Sequence, residues 1–269
     1  MSVIWLRTAA VLYSCGLLYA LVYLFRKSTR LFTPALVAFG AGAVLHLVSL
    51  VELRFETGHL PINNFYETSS LCAFLIAALF LLLYSYYRIA IFGVCLFPVV
   101  FFMTLIGSTE FPVAAWSSPQ IRNAWLLVHI TTVLIGYAAL MVAAVASIYY
   151  LLQERQLKSK RLDPASNRLP PLATLDRIIT QAMNTGFVFI TVGTVTGVVW
   201  AFIENGTAWI LNPQIGFFLF TWVFYLAMIF LRITAGWRGR RIAWLAVSVL
   251  GCSIITWATH LGIRSHWLP

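Results

Sequence analysis

Five histidines are the residues of this 269-residue chain best suited to chemistry, and the sequence places each one differently. A neutral imidazole carries one lone pair and one N–H, so it can ligate a metal ion or join two polar groups. His129 lies a few residues inside a long apolar run, in WLLVHITTVLIGYAAL (125–140), and His266 follows the last such run. His46 is embedded in another apolar run, His59 stands in a polar stretch, and His260 is a near neighbour of His266. In sequence between His129 and His266 falls GVVWAFIENGTAWILNPQIGFFLFTW (197–222), an aromatic and polar segment pinned between two apolar runs, which supplies Trp200 and Trp209.

Other chemistries are poorly supplied. Glu52, Glu56, Glu67, Glu110 and Glu204 are scattered without paired spacing on one helix face, and no phosphate loop, HExxH or Ser-His-Asp arrangement occurs. Cys15, Cys72, Cys95 and Cys252 all fall within apolar runs, and neither C-x-x-C nor C-x-x-C-H is present. The chain is therefore neither a thiol oxidoreductase nor itself a c-type cytochrome.

The elements that must position the histidines follow from composition. A chain that is 61% hydrophobic and 10% charged cannot hide that much apolar surface from water in its own core, so lipid is the solvent for most of it. Eight runs are long enough to cross about 30 Å of hydrocarbon: Ile4 to Phe25, Pro34 to Glu52, Thr68 to Tyr86, Ile89 to Ser108, Ala124 to Leu152, Met183 to Ile203, Ile215 to Ile233 and Ile242 to Leu261. Helices are expected throughout, because backbone groups in lipid must pair within their own segment. The expectation is an all-α, polytopic helical bundle forming a single membrane domain over 1–269. Its connections include outer loops at 53–67 and 204–214 and a cytoplasmic loop with an interfacial helix at 153–182. The third and fourth runs are joined by a tight turn at Tyr87 and Arg88, and the fifth is long enough to project beyond the bilayer. The first run is read as a spanning helix, since Tyr13 suits a lipoprotein-like cleavage site poorly and Arg7 is the single preceding charge.

Basic residues set the orientation. With both termini outside, Arg7, Arg54, Arg122 and Arg264 are the outer members of the 18 Lys and Arg residues, and all the others fall on the cytoplasmic side, as the positive-inside rule requires. The net charge of +10 is thus an orientation signal dispersed over short loops, and nucleic acid is not an expected partner. Trp5, Trp116, Trp125, Trp200, Trp209, Trp257 and Trp267 then fall near the outer face, against Trp237 and Trp244 near the inner one. An anchoring belt alone predicts rough symmetry, so the outer excess around His129 and His266 favours a working surface.

Several stretches carry a family resemblance. GHLPINNFYE (58–67) resembles a signature of the CcsA-like cytochrome c assembly family, the haem-handling group that also includes HemX-type proteins. The helix opening WLLVH at 125 and continuing through Tyr137-Ala138-Ala139, the approach LPPLATLDRI (169–178) with an acidic cap at Asp176, and the loop GWRGRR (236–241) are similar to family features in order, over roughly Gly58 to His266. The segment at 197–222 resembles the family's tryptophan-rich outer loop at Trp200, Ala201, Gly206, Trp209 and Pro213. It departs from that loop at Asn205 and Leu211, where tryptophans stand, at Asn212 and Gln214, where the family has Asp and Lys, and at Phe217. Phe230 occupies the position of a membrane-embedded family histidine.

The resemblance implies a protein of cytochrome c biogenesis in the cell inner membrane that binds or presents haem, non-covalently and of b type, at its outer face. His129 and His266 correspond to the external axial pair, Trp200 and Trp209 to the aromatic platform. Phe cannot ligate iron, so a membrane-embedded haem site would need a substitute such as His46. The implied partners are membrane lipid, haem, apocytochrome c and a biogenesis partner protein. Beside this stands a plainer reading, in which His129 and His266 make interfacial hydrogen bonds, His46 is a buried polar group bonded to a neighbouring helix, and the chain is a HemX-like regulatory or scaffold subunit without haem. A small-solute transporter has only the hydropathy in its favour, and no internal repeat supports it.

Overall fold

The computed structural model describes residues 1–26, 32–58, 65–109, 120–159, 169–205, 207 and 213–262. Among them the chain forms eight α-helices and no strand: α1 (Ser2–Arg26), α2 (Phe32–Thr57), α3 (Phe65–Tyr87), α4 (Ile91–Gly107), α5 (Gln120–Ser159), α6 (Leu172–Asn205), α7 (Pro213–Thr234) and α8 (Arg240–Gly262). Six of them, α1 to α3 and α5 to α7, hold stretches long and apolar enough to cross a membrane, and α4 is a shorter apolar helix. The chain is a multi-pass helical membrane protein. It divides into two compact units, Met1–Gln120 and Ile121–Pro269.

In the first unit α1 and α2 run antiparallel, because small residues let them close. A Cβ placed on Gly42 would stand 2.9 Å from the Tyr13 ring, so glycine there is what admits the tyrosine. At one end the Ser2 hydroxyl donates to Glu56 Oε2 at 2.6 Å, and the Ser49 hydroxyl donates to the Ser2 carbonyl at 2.8 Å. Toward the other end Phe39 stacks on Phe97 at 3.9 Å, and Phe80 meets both edge-on. These aromatic contacts tie α2, α3 and α4 together, each adding about 0.5–1.5 kcal/mol beyond the area it buries. The tight turn expected at Tyr87 and Arg88 is present, with Arg88 in the left-handed region at φ 54° and its guanidinium 5.8 Å from the centre of the Tyr84 ring.

The second unit is built on two long helices. α5 has 40 residues, about 60 Å at 1.5 Å per residue, so it extends well past a hydrocarbon core, as its sequence run indicates. α6 has 34 residues, and its amphipathic opening at Leu172 is continuous with the apolar stretch that follows. α7 packs on α6 through Tyr225, which donates to the Met183 carbonyl at 2.9 Å, and through the Trp222 indole, which donates to Thr191 Oγ1 at 3.1 Å. α7 meets α8 at a pair of hydroxyls, Thr221 and Thr256, 2.9 Å apart. Asp176 does not cap α6. It lies one turn inside the helix, and its carboxylate accepts from both guanidinium N–H groups of Arg232 at 3.0 and 3.5 Å and from the Gly239 N–H at 3.4 Å. Arg232 also donates to Thr180 Oγ1. This join fixes the start of α6 to the end of α7 and the turn into α8.

Candidate functional site

α5 and α6 run antiparallel along a line of glycines. A Cβ on Gly136 would lie 2.3 Å from Ile190 Cγ1, and one on Gly193 would lie 2.5 Å from Val133 Cγ2. Neither position accepts a side chain without moving its neighbour, so the helix backbones approach as closely as small residues permit. One turn further along, the same line reaches His129. A Cβ on Gly197 would stand 2.5 Å from His129 Cε1 and 2.8 Å from Nδ1, so the imidazole occupies the space that glycine leaves open.

The ring is also tied down. His129 Nδ1 is 2.7 Å from the Gly193 carbonyl oxygen. A carbonyl only accepts, so Nδ1 carries the proton, and a neutral ring keeps its lone pair on Nε2. Metal-binding histidines are oriented in this way, with one nitrogen anchored to a backbone carbonyl and the other set as the ligating atom. Trp125, one turn before His129 on α5, donates its indole N–H to the Thr196 carbonyl at 2.8 Å. Two side chains of α5 thus bond to the backbone of α6 over a single turn, which fixes the register of the two helices where the histidine sits.

Trp200 is three residues beyond Gly197, within about 60° of it around the helix. Its indole Nε1 is buried and has no hydrogen-bond partner among the described residues. A buried N–H without an acceptor costs about 1–3 kcal/mol, so an acceptor supplied from outside this set would be favoured there. Trp200 thus lies one turn beyond the glycine that seats His129, toward the end where α5 begins and α6 finishes.

The other expected site residues fall elsewhere. His266, Trp209 and His59 lie outside the described residues. His46 belongs to the first unit, where it is fully buried. Its Nε2 is 2.8 Å from Ser70 Oγ, its Nδ1 is 3.4 Å from the Tyr13 hydroxyl, and Tyr13 and Phe74 meet its ring edge-on. Phe230, at the family histidine position, points outward from α7 and is 60% exposed. Among the described residues no three His, Cys, Asp or Glu side chains converge on a common point, so a metal held here would be held by few protein ligands.

Gly193 and Gly197 position the histidine together with Trp125, and the two glycines carry no side chain that announces chemistry. A signal was present: Gly193-Thr-Val-Thr-Gly197 is a G-x-x-x-G spacing inside an apolar helix, the pattern of close helix contact.

Comparison with known proteins places the chain in a family. The model of a family described as cytochrome c assembly protein matches residues 44–266. The chain is similar to the cytochrome c biogenesis protein CcsA of Synechococcus sp. (strain JA-2-3B'a(2-13)), 29% identical over 283 aligned residues that cover 83% of this chain and 80% of that protein. It is similar also to CcsA of Gloeobacter violaceus, 27% identical with 92% and 88% covered, and to CcsA of Guillardia theta, 29% identical with 78% and 75% covered.

Proposed function

The chain belongs to the cytochrome c assembly protein family, and we propose that it serves cytochrome c biogenesis by holding haem at the outer face of the cell inner membrane. The relatives bear the name of cytochrome c biogenesis proteins. The observation that carries the reading is the His129 imidazole, seated on Gly197 with Nδ1 bonded to the Gly193 carbonyl at 2.7 Å. The bond to the Gly193 carbonyl fixes the ring's tautomer and orientation in advance, as such bonds do for metal-binding histidines.

The residues present fit haem as cargo. His129 would offer Nε2 to the iron, and His266 would offer a second imidazole. Trp200 and Trp209 provide flat apolar faces, the surfaces a porphyrin plane packs against. The Trp200 N–H, lacking an acceptor among the described residues, donates to an anionic edge such as a propionate. Haem bound in this way, of b type and without a covalent link, would contribute its iron as the point that the two imidazoles grip. The protein's part is to orient the imidazole in advance and to keep the ring at the membrane surface, where an apocytochrome or a partner protein reaches it.

One observation favours a second reading. Phe230 stands where the family pattern has a histidine and is turned outward, and the tryptophan-rich loop departs from the pattern at Asn205, Leu211, Asn212 and Gln214. A HemX-like regulatory or scaffold subunit that no longer binds haem would tolerate all of these changes.

Chemical rescue separates the two. His129→Gly, purified in detergent and mixed with haem, is expected to lack the six-coordinate spectrum of the parent and to regain it on addition of free imidazole. A pyridine extract of the parent should give the b-type spectrum. A parent protein that takes up no haem, or a variant whose spectrum equals the parent's without imidazole, would overturn the haem reading and leave the scaffold.

A further inference from the structure

The carbonyl that anchors His129 is claimed by more donors than it has lone pairs. A main-chain carbonyl oxygen has two. α6 runs as one α-helix from Leu172 to Asn205, so the Gly193 carbonyl already faces the N–H four residues on. His129 Nδ1–H reaches the same oxygen from α5 at 2.7 Å, and the Thr196 hydroxyl reaches it at 3.0 Å. That hydroxyl has a single proton and a second acceptor, the Val192 carbonyl at 2.9 Å. Threonine commonly bonds back along its own helix in this way. Here one of the two acceptors is the oxygen that orients the histidine.

Thr196 also meets α5 at a second point. Its own carbonyl accepts the Trp125 indole N–H at 2.8 Å. Thr196 thus holds Trp125 directly, and its hydroxyl competes for the acceptor of His129, one turn further along α5. Thr194 provides the contrast. Its buried hydroxyl bonds back to the Ile190 carbonyl at 2.8 Å, which is not the carbonyl that anchors His129.

Hydrogen bonds polarise one another. Two donors on one oxygen draw on the same electron density, so each bond is weaker than it would be alone. An imidazole whose N–H is held more tightly is the more basic ligand, and a more basic ligand favours ferric over ferrous iron.

We propose that Thr196 is a positioning residue for His129, whose hydroxyl moderates the grip of the Gly193 carbonyl on Nδ1–H and thereby sets how strongly Nε2 donates to iron. The inference deepens the haem reading and rests on it.

Thr196→Val removes the hydroxyl and keeps the β-branched shape. In the haem-loaded full chain it should raise the ferric-over-ferrous preference about threefold, a fall in potential of about 30 mV at about 59 mV per tenfold for one electron. Thr196→Ala should act in the same direction, Thr196→Ser should return to the parent potential, and Thr194→Val should leave it unmoved. A second readout needs no haem. In magnetic resonance spectra of the haem-free chain with isotope-labelled histidine, the His129 Nδ1–H proton, identified by its loss in His129→Ala, should move downfield in Thr196→Val and stay in place in Thr196→Ser and Thr194→Val. A parent that binds haem, but whose potential or Nδ1–H signal ignores Thr196→Val or moves equally in Thr194→Val, would overturn this proposal and leave the haem reading standing. A parent that takes up no haem would overturn both.

Discussion

The two units enclose their histidines in opposite ways. His46 in α1–α4 is fully buried and lies between hydroxyls of two other helices, Tyr13 on α1 and Ser70 on α3. His129 in α5–α8 is half-buried near the start of its helix, with one nitrogen on a backbone carbonyl and a glycine beneath the ring. A side chain that joins three helices through both nitrogens is spent on packing. One whose Nδ1 bonds to the main chain has its tautomer fixed, with the lone pair on Nε2, and metal-binding histidines are oriented in this way. The same residue type thus serves cohesion in one half and, under the proposed function, presentation in the other.

Disrupting each half's polar join probes this contrast, and the largest effect is expected in α5–α8. Asp176→Ala leaves the Arg232 guanidinium, whose side chain is 10% exposed, without its carboxylate and should destabilise the unit by about 3 kcal/mol. A fall in the thermal midpoint of the detergent-solubilised protein checks this, and an unchanged midpoint would mean the join is ornamental. His46→Ala comes next, at about 2 kcal/mol, because it opens a cavity and orphans the Ser70 hydroxyl. Haem uptake should be untouched, and a loss of uptake would erase the division of labour between the two histidines.

Gly197→Ala is the sharper instrument. Its added methyl must displace the His129 ring, at about 1–2 kcal/mol of overpacking, and should weaken haem binding by about tenfold in a titration followed at the Soret band. Equal binding by parent and variant would show that the ring's seat is irrelevant to the ligand. The smallest change is Tyr13→Phe, at about 0.5 kcal/mol, since its contact with His46 is long. Chemical denaturation would detect it, and a change above about 1.5 kcal/mol would mean the hydroxyl carries more than a typical hydrogen bond.

Much of this was legible in the sequence. Apolar run lengths locate the eight helices, most of their ends to within a few residues, since the membrane leaves a helix no alternative but to satisfy its own backbone, although α5 runs on to Ser159 and α6 begins at Leu172. They do not show that α6 runs unbroken from Leu172, because an amphipathic lead-in and a membrane helix share one backbone geometry and differ only in what surrounds them. Asp176 looks like a helix cap from its neighbours in sequence, whereas its partner Arg232 is 56 residues away, a pairing that only packing reveals. His129 stands out by residue type. Its seat does not, because Gly193 and Gly197 have no side chain to announce chemistry, and their purpose appears only once α5 lies against them.

The most direct measurement of the central claim is the oxidised and reduced visible spectrum of the protein purified in detergent, recorded beside His129→Ala and His46→Ala. Presentation of haem by α5–α8 predicts a stoichiometric Soret band with sharp reduced α and β bands, weakened in His129→Ala and retained in His46→Ala. A protein that stays colourless after haem is added, or a spectrum lost with His46 and kept without His129, would contradict it.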